Sequence, residues 1–198
     1  MKRRSLLLLG VWALALGCGT SAPSASAAQS APEGCDTGAV APAQLVVDGH
    51  YADARFVDMM SAHHAVAIRM AQDEAERGKR PELVQLARGI ITSQGAEIDK
   101  MRQLKQQECG TSQVTLRVNP IEDENSGMAD QLPAQNVDLA FIDSMIPHHA
   151  GAIRMAGVAR LRSQDKTILD MARGIIDAQA REIGEMIAWR HQWFGDAS

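Results

Sequence analysis

The sequence predicts an all-α protein, a four-helix bundle made of two duplicated helical hairpins. Three observations predict it. Residues 53–105 lie over residues 138–190 at a constant offset of 85, with no gap. Such self-similarity is an internal duplication and is read before any local motif. Within the first copy Phe56, Met60, His63, Ala67 and Met70 recur at steps of four and three, which is one face of a helix. Strand signals are poor, with Val114 to Val118 the only β-like stretch.

The elements follow in chain order. Lys2, Arg3 and Arg4 precede an apolar run from Leu6 to Leu16, the layout of a secretory signal over residues 1–18. Two cut sites compete. "ALGC" resembles a bacterial lipobox and makes Cys18 a lipidation candidate; "ASA" at Ala25 to Ala27 suits ordinary cleavage near residue 27. The lipoprotein reading is preferred. Residues 19–47 read as a flexible tether, because their first half is rich in Ser, Ala, Gly, Pro and Gln. The bundle then occupies residues 48–195, enough chain for one domain with a real core.

The first hairpin covers 48–107: a helix from Asp53, a break at Gly78 and Pro81, and a second helix from Glu82 to Gln107. A connector at 108–135 holds Pro120, Gly127 and Pro133. The second hairpin covers 136–193, with helices from Asn136 to Leu161 and from Gln164 to Trp193, the latter capped by Ser163. Neither hairpin can bury its apolar face alone, so the two pack together. The connector is long enough to cross the bundle, as in ferritin-like folds. Pro147 sits in the third helix where the first has Ala62, and it either kinks that helix or marks its start.

Charge and cysteines bound the function. Loss of Lys2, Arg3 and Arg4 takes the formal charge from −4 to −7. An acidic product lacks the basic face that nucleic acid requires. No second hydrophobic segment is long enough to span a bilayer, so membrane contact would come only through a lipid on Cys18. The reading is an exported, periplasmic or cell-envelope lipoprotein, with outright secretion as the variant. Without Cys18, Cys35 and Cys109 remain, and an oxidising compartment makes them a disulfide.

The chemistry is concentrated in "MSAHHAVAIRMA" and "MIPHHAGAIRMA", which start at Met60 and Met145. Both pairs, His63–His64 and His148–His149, fall near the middle of their helices, so four imidazoles gather at one level. Neighbouring residues on a helix diverge by about 100°. Each pair therefore supplies two separate ligands, or one ligand and one supporting group. The flanking Met60, Met70, Met145 and Met155 add thioethers, and the combined soft, neutral set suits Cu(I) or Ag(I). Asp58 and Asp143, or Glu97 and Glu182 on the partner helices, can accept an imidazole N–H and fix its tautomer. In an antiparallel hairpin Gln94 falls roughly opposite His63, and Glu97 opposite Met60; Gln179 takes the place of Gln94 in the second copy.

Methionine at helical spacing also serves as core filling, and this is the reading for Met101 and Met186. The histidines are different, because four buried bases need partners or metal. "FVDMMSAHHAVAIRMA" and "FIDSMIPHHAGAIRMA", each followed by "ARGII", resemble a family of secreted ferritin-like proteins termed a domain of unknown function, which includes CopM-like periplasmic copper-binding proteins. The resemblance runs from Asp48 to about Trp193. It implies a four-helix bundle and, for some members, Cu(I) binding through Met and His.

The function expected is thus export followed by Cu(I)/Ag(I) buffering, resistance or delivery, without catalysis. A di-metal carboxylate-type oxidase on the same bundle is the enzymatic alternative. It needs Glu-x-x-His pairs, but Glu97 is followed by Lys100 and Glu182 by Glu185. A structural or interaction bundle without metal is the third reading.

Overall fold

The structure, a computed structural model, describes residues 32, 34, 35, 41, 44–117 and 136–195. The signal segment, both cut sites, Cys18 and the connector beyond Arg117 lie outside the described residues. Among the described residues four long helices are present, α1 (Asp53–Arg77), α2 (Pro81–Cys109), α3 (Val137–Arg162) and α4 (Lys166–Phe194).

Local chemistry sets their ends. Pro81 opens α2, where its missing N–H costs nothing, and Gly110 closes it in the left-handed conformation at φ 68°. The Asn136 side chain accepts from Leu139 N at the start of α3. Pro147 lies inside α3, so it does not begin a helix there. Asp165, not Ser163, caps α4, accepting from the N–H groups of Thr167 and Ile168. Ser163 instead ends α3 and donates its hydroxyl to Asp53.

α1 packs on α2, α3 on α4, and α1 on α3. The α1–α3 pair is antiparallel, because each hairpin turn reaches the first residues of the other hairpin. Ser163 Oγ donates to Asp53 Oδ2 at 3.0 Å, and the N–H groups of Lys79 and Arg80 donate to Asp138 Oδ1 at 2.8 and 3.0 Å. Asp53 and Asp138 are one another's match in the repeat. Ala67, Ala71, Ala152 and Ala156 are fully buried, and their small side chains let the helices come close.

The core has two apolar clusters. One joins Phe56, Met60 and Ala62 of α1 to Ile98 and Met101 of α2 and to the facing ends of α3 and α4. The other joins Val66 and Met70 of α1 to Leu83 and Ile90 of α2, Phe141 and Met145 of α3, and Met186 of α4. Residues 63–64 and 148–149 fall between the two clusters along their helices.

The packed chain begins before residue 48, so the expected tether is too long at its C-terminal end. Val46–Val47 pairs with His50–Tyr51 in an antiparallel hairpin, and Ala41 and Leu45 are buried in the first cluster. The turn is Asp48-Gly49 with φ of 51° and 82°, the Asp-Gly signature of a two-residue hairpin turn. The β-like stretch from Val114 forms no strand over its described residues up to Arg117. That segment is held by Thr115 N donating to Asp58 and by Ala41 N donating to the Arg117 carbonyl. Cys35 and Cys109 are joined by a disulfide across 74 residues.

Candidate metal centre

The imidazole layer lies where α1 packs on α3. The rings of His63 and His148, matched residues of the repeat, lie 3.7 Å apart between centroids at 38°. His148 and His149 are 6.2 Å apart. All four histidines are buried, His63 the least so. Gly151 makes room for His63: a β-carbon there would stand 3.0 Å from its Nε2. The matching position in the first copy is Val66.

His64 and His149 are held by carboxylates. His64 Nε2 donates to Glu97 Oε2 at 2.7 Å, and His149 Nε2 donates to Glu182 Oε2 at the same distance. A carboxylate only accepts, so Nε2 carries the hydrogen of each bond, and Nδ1 is the free donor atom of the ring whenever it is neutral. The Nδ1 atoms of His64 and His149 are buried without a partner, as are Nδ1 of His63 and both ring nitrogens of His148. Burial, reinforced by the neighbouring imidazoles, holds His63 and His148 well below the usual histidine range. Both are neutral bases at physiological pH. The site thus offers buried imidazole nitrogens, with two carboxylates fixing two of the rings.

The other expected residues sort as follows. Met60, Met70 and Met145 are fully buried in the apolar clusters, and Met155 is half-buried against the first one. Gln94 and Gln179 are buried with unpartnered side-chain oxygens. Asp58 and Asp143 do not support the imidazoles. Asp58 is ion-paired with Lys105 and accepts from Thr115 N; Asp143 accepts from Arg190 Nε at 2.6 Å. The expected pairing of Glu97 with Met60 is corrected as well: Glu97 meets His64 and Ser61 meets Met101, so the α1–α2 register is shifted by about one turn. Lys105 and Arg190, unremarked in the sequence, are basic at both ends of the 85-residue overlay, and that signal was there to be read. Glu74 was also missed. Its match is Ala159, so the repeat could not flag it.

Among the described residues no group of three or more His, Cys, Asp or Glu side chains converges as a ligand set. Histidine–glutamate pairs are present, but a carboxylate-rich di-metal cage is not. The unpartnered buried atoms at this level are imidazole nitrogens and the side-chain oxygens of Gln94 and Gln179.

Known proteins resemble this chain throughout the bundle. CopM in its Cu(I)-bound form is 33% identical, with a TM-score of 0.63, over 74% of this chain and all of that one. CopM in a silver-bound form gives 33% and 0.62, over 73% and 98%. A DUF305 fragment from Deinococcus radiodurans gives 26% and 0.61, over 70% and 94%. No curated protein matches. The family described as "Domain of unknown function (DUF305)" matches residues 17–105 and 138–198. With that match spanning both hairpins and their histidine pairs, the chain belongs to the DUF305 family.

Proposed function

We propose that the protein is an exported Cu(I)- or Ag(I)-binding protein that buffers, detoxifies or delivers the metal through Met and His ligands. The observation that carries this reading is the layer of buried imidazoles with open nitrogens. Each unpartnered buried polar atom costs about 1–3 kcal/mol. Their repetition in both halves is hard to reconcile with packing alone. A soft monovalent ion takes such lone pairs without a proton having to leave, and Glu97 and Glu182 balance its charge through His64 and His149. Met60, Met70, Met145 and Met155 are the proposed thioether ligands, reached by rotamer changes of an unbranched side chain. CopM, similar over nearly three quarters of this chain, has Cu(I)-, Cu(II)- and Ag-bound forms.

Export is part of the proposal. It is supported by the basic and apolar N-terminal sequence and by the Cys35–Cys109 disulfide, which belongs in an oxidising compartment. Lipidation at Cys18 would hold the bundle at the membrane.

Competition titration against a Cu(I) chelator, with circular dichroism on each variant, tests the ligands. Replacing His63 and His148 by Gln abolishes high-affinity Cu(I) binding while helicity survives. Glu97→Gln with Glu182→Gln costs roughly tenfold to a hundredfold in affinity, through loss of imidazole positioning. Met60→Leu with Met145→Leu weakens Cu(I) far more than Zn(II), because the volume stays and the soft sulfur goes. Unchanged Cu(I) affinity in these folded variants would return the bundle to a packing or partner-binding role.

A further inference from the structure

The two halves repeat their histidines, but the surfaces outside them do not match. A groove of about 380 Å³ lies between α2 and α4, lined on the α2 side by Glu82, Leu86 and Gly89 and on the α4 side by Glu182, Glu185 and Trp189. Glu182 is at once part of this groove and the hydrogen-bond partner of His149, whose Nδ1 is buried and unpartnered. One carboxylate therefore connects solvent to the imidazole layer, its side chain 13% exposed against 0% for His149. Gly89 has open space where a side chain would stand.

The repeat supplies an internal control. At the offset of 85, Glu82 becomes Thr167, Glu185 becomes Lys100 and Trp189 becomes Leu104; only Glu182 keeps its acid, as Glu97. Asp170 replaces the groove's Gln85, but it is ion-paired with Lys166. The groove beside His149 thus carries three acids and no base among its lining residues, whereas the matching positions beside His64 carry two acids and a lysine. A concave surface lined by one sign of charge concentrates ions of the other sign and speeds their arrival. The two halves therefore differ in charge at the mouth of this groove.

We propose that a soft monovalent cation enters the histidine layer from one side, through the α2–α4 groove: Glu82 and Glu185 draw it in, Trp189 walls the path, and Glu182 passes it to His149. The inference rests on the metal-binding reading above and adds a direction to it. Glu82 and Glu185 are exposed, so neutralising them leaves folding and the ligand nitrogens intact. A route sets rates in both directions and leaves the equilibrium nearly unchanged.

The test mixes the mature protein with Ag(I) in a stopped-flow instrument at low salt, following the emission of the stacked Trp189–Trp193 pair, with the equilibrium constant measured by calorimetry. Glu82→Gln with Glu185→Gln slows association by roughly threefold to tenfold and shifts the equilibrium constant by less than about twofold. The difference closes in concentrated salt, where screening shortens to a few ångströms. Lys100→Gln on the opposite face leaves the rate at the wild-type value. Equal rates for wild type and the double variant at low salt, with Ag(I) binding intact, overturn the route alone. Equal slowing by Asp170→Asn on the matching face overturns its one-sidedness. Absence of Ag(I) binding in the wild type removes the metal-binding reading and the route together.

Discussion

Glu74 shows how one residue can set a pH dependence for the fold. Its side chain is buried in α1 beside the carboxylate of Asp138. Burial first, and the neighbouring Asp138 second, push it up to about 8. The unfolded chain releases this proton near the ordinary value of 4.5. Between the two values the native state binds more protons, so stability falls as pH rises from about 4.5 to about 8. Glu74→Gln keeps the shape and removes the titration. Urea unfolding of this variant should show a stability profile flatter across that window than the wild type's, and an unchanged slope would refute the argument. The histidines are legible in the sequence because they come as repeated pairs. Glu74 is not, because a single Glu in a helix looks like a solvated surface residue until the second hairpin covers it.

At the scale of elements, the repeat builds the same staple twice with different worth. Lys105 of α2 pairs with Asp58 of α1, and Arg190 of α4 pairs with Asp143 of α3; both residues match at the 85-residue offset. The first pair is sealed from solvent, while the second is 27% and 44% exposed. Removing one member of a buried pair strands its partner, at a cost of about 3–5 kcal/mol. Losing an exposed pair costs about 1 kcal/mol or less. Lys105→Ala should therefore destabilise the protein far more than Arg190→Ala in chemical denaturation, and comparable losses would show that burial does not govern the difference. The existence of each helix could be read from periodicity and from Gly and Pro breaks. The α1–α2 register could not, because side-chain contacts such as Ser61 with Met101 settle it and a three-residue turn leaves it loose.

Across the whole molecule, the disulfide ties Cys35, before the first helix, to Cys109, the last residue of α2. It closes 74 residues around the first hairpin. On loop length alone such a closure contributes about 4 kcal/mol by restricting the unfolded chain. Cys35→Ser with Cys109→Ser should lower the unfolding free energy by about that amount while the helical content stays. A loss below about 1 kcal/mol would mean that the unfolded chain is already compact there.

The sequence by itself determined the all-α class, the two hairpins, the core face of each helix and the four histidines at one level. These follow from a period of 3.6 and a gapless repeat, which are one-dimensional signals. Only the tertiary structure decided which carboxylate serves which imidazole. Asp58 and Asp143, close to the histidines in sequence, were drawn to Lys105 and Arg190 on the partner helices, and Glu97 and Glu182 took the imidazoles. The reason is physical: a buried or half-buried charge goes to the partner that the helix packing brings within reach, and spacing along one helix does not reveal that distance. The same packing brought Glu82 of α2 and Glu182 and Glu185 of α4 into one groove beside His149, because a groove is made by two helices and neither sequence segment carries it alone.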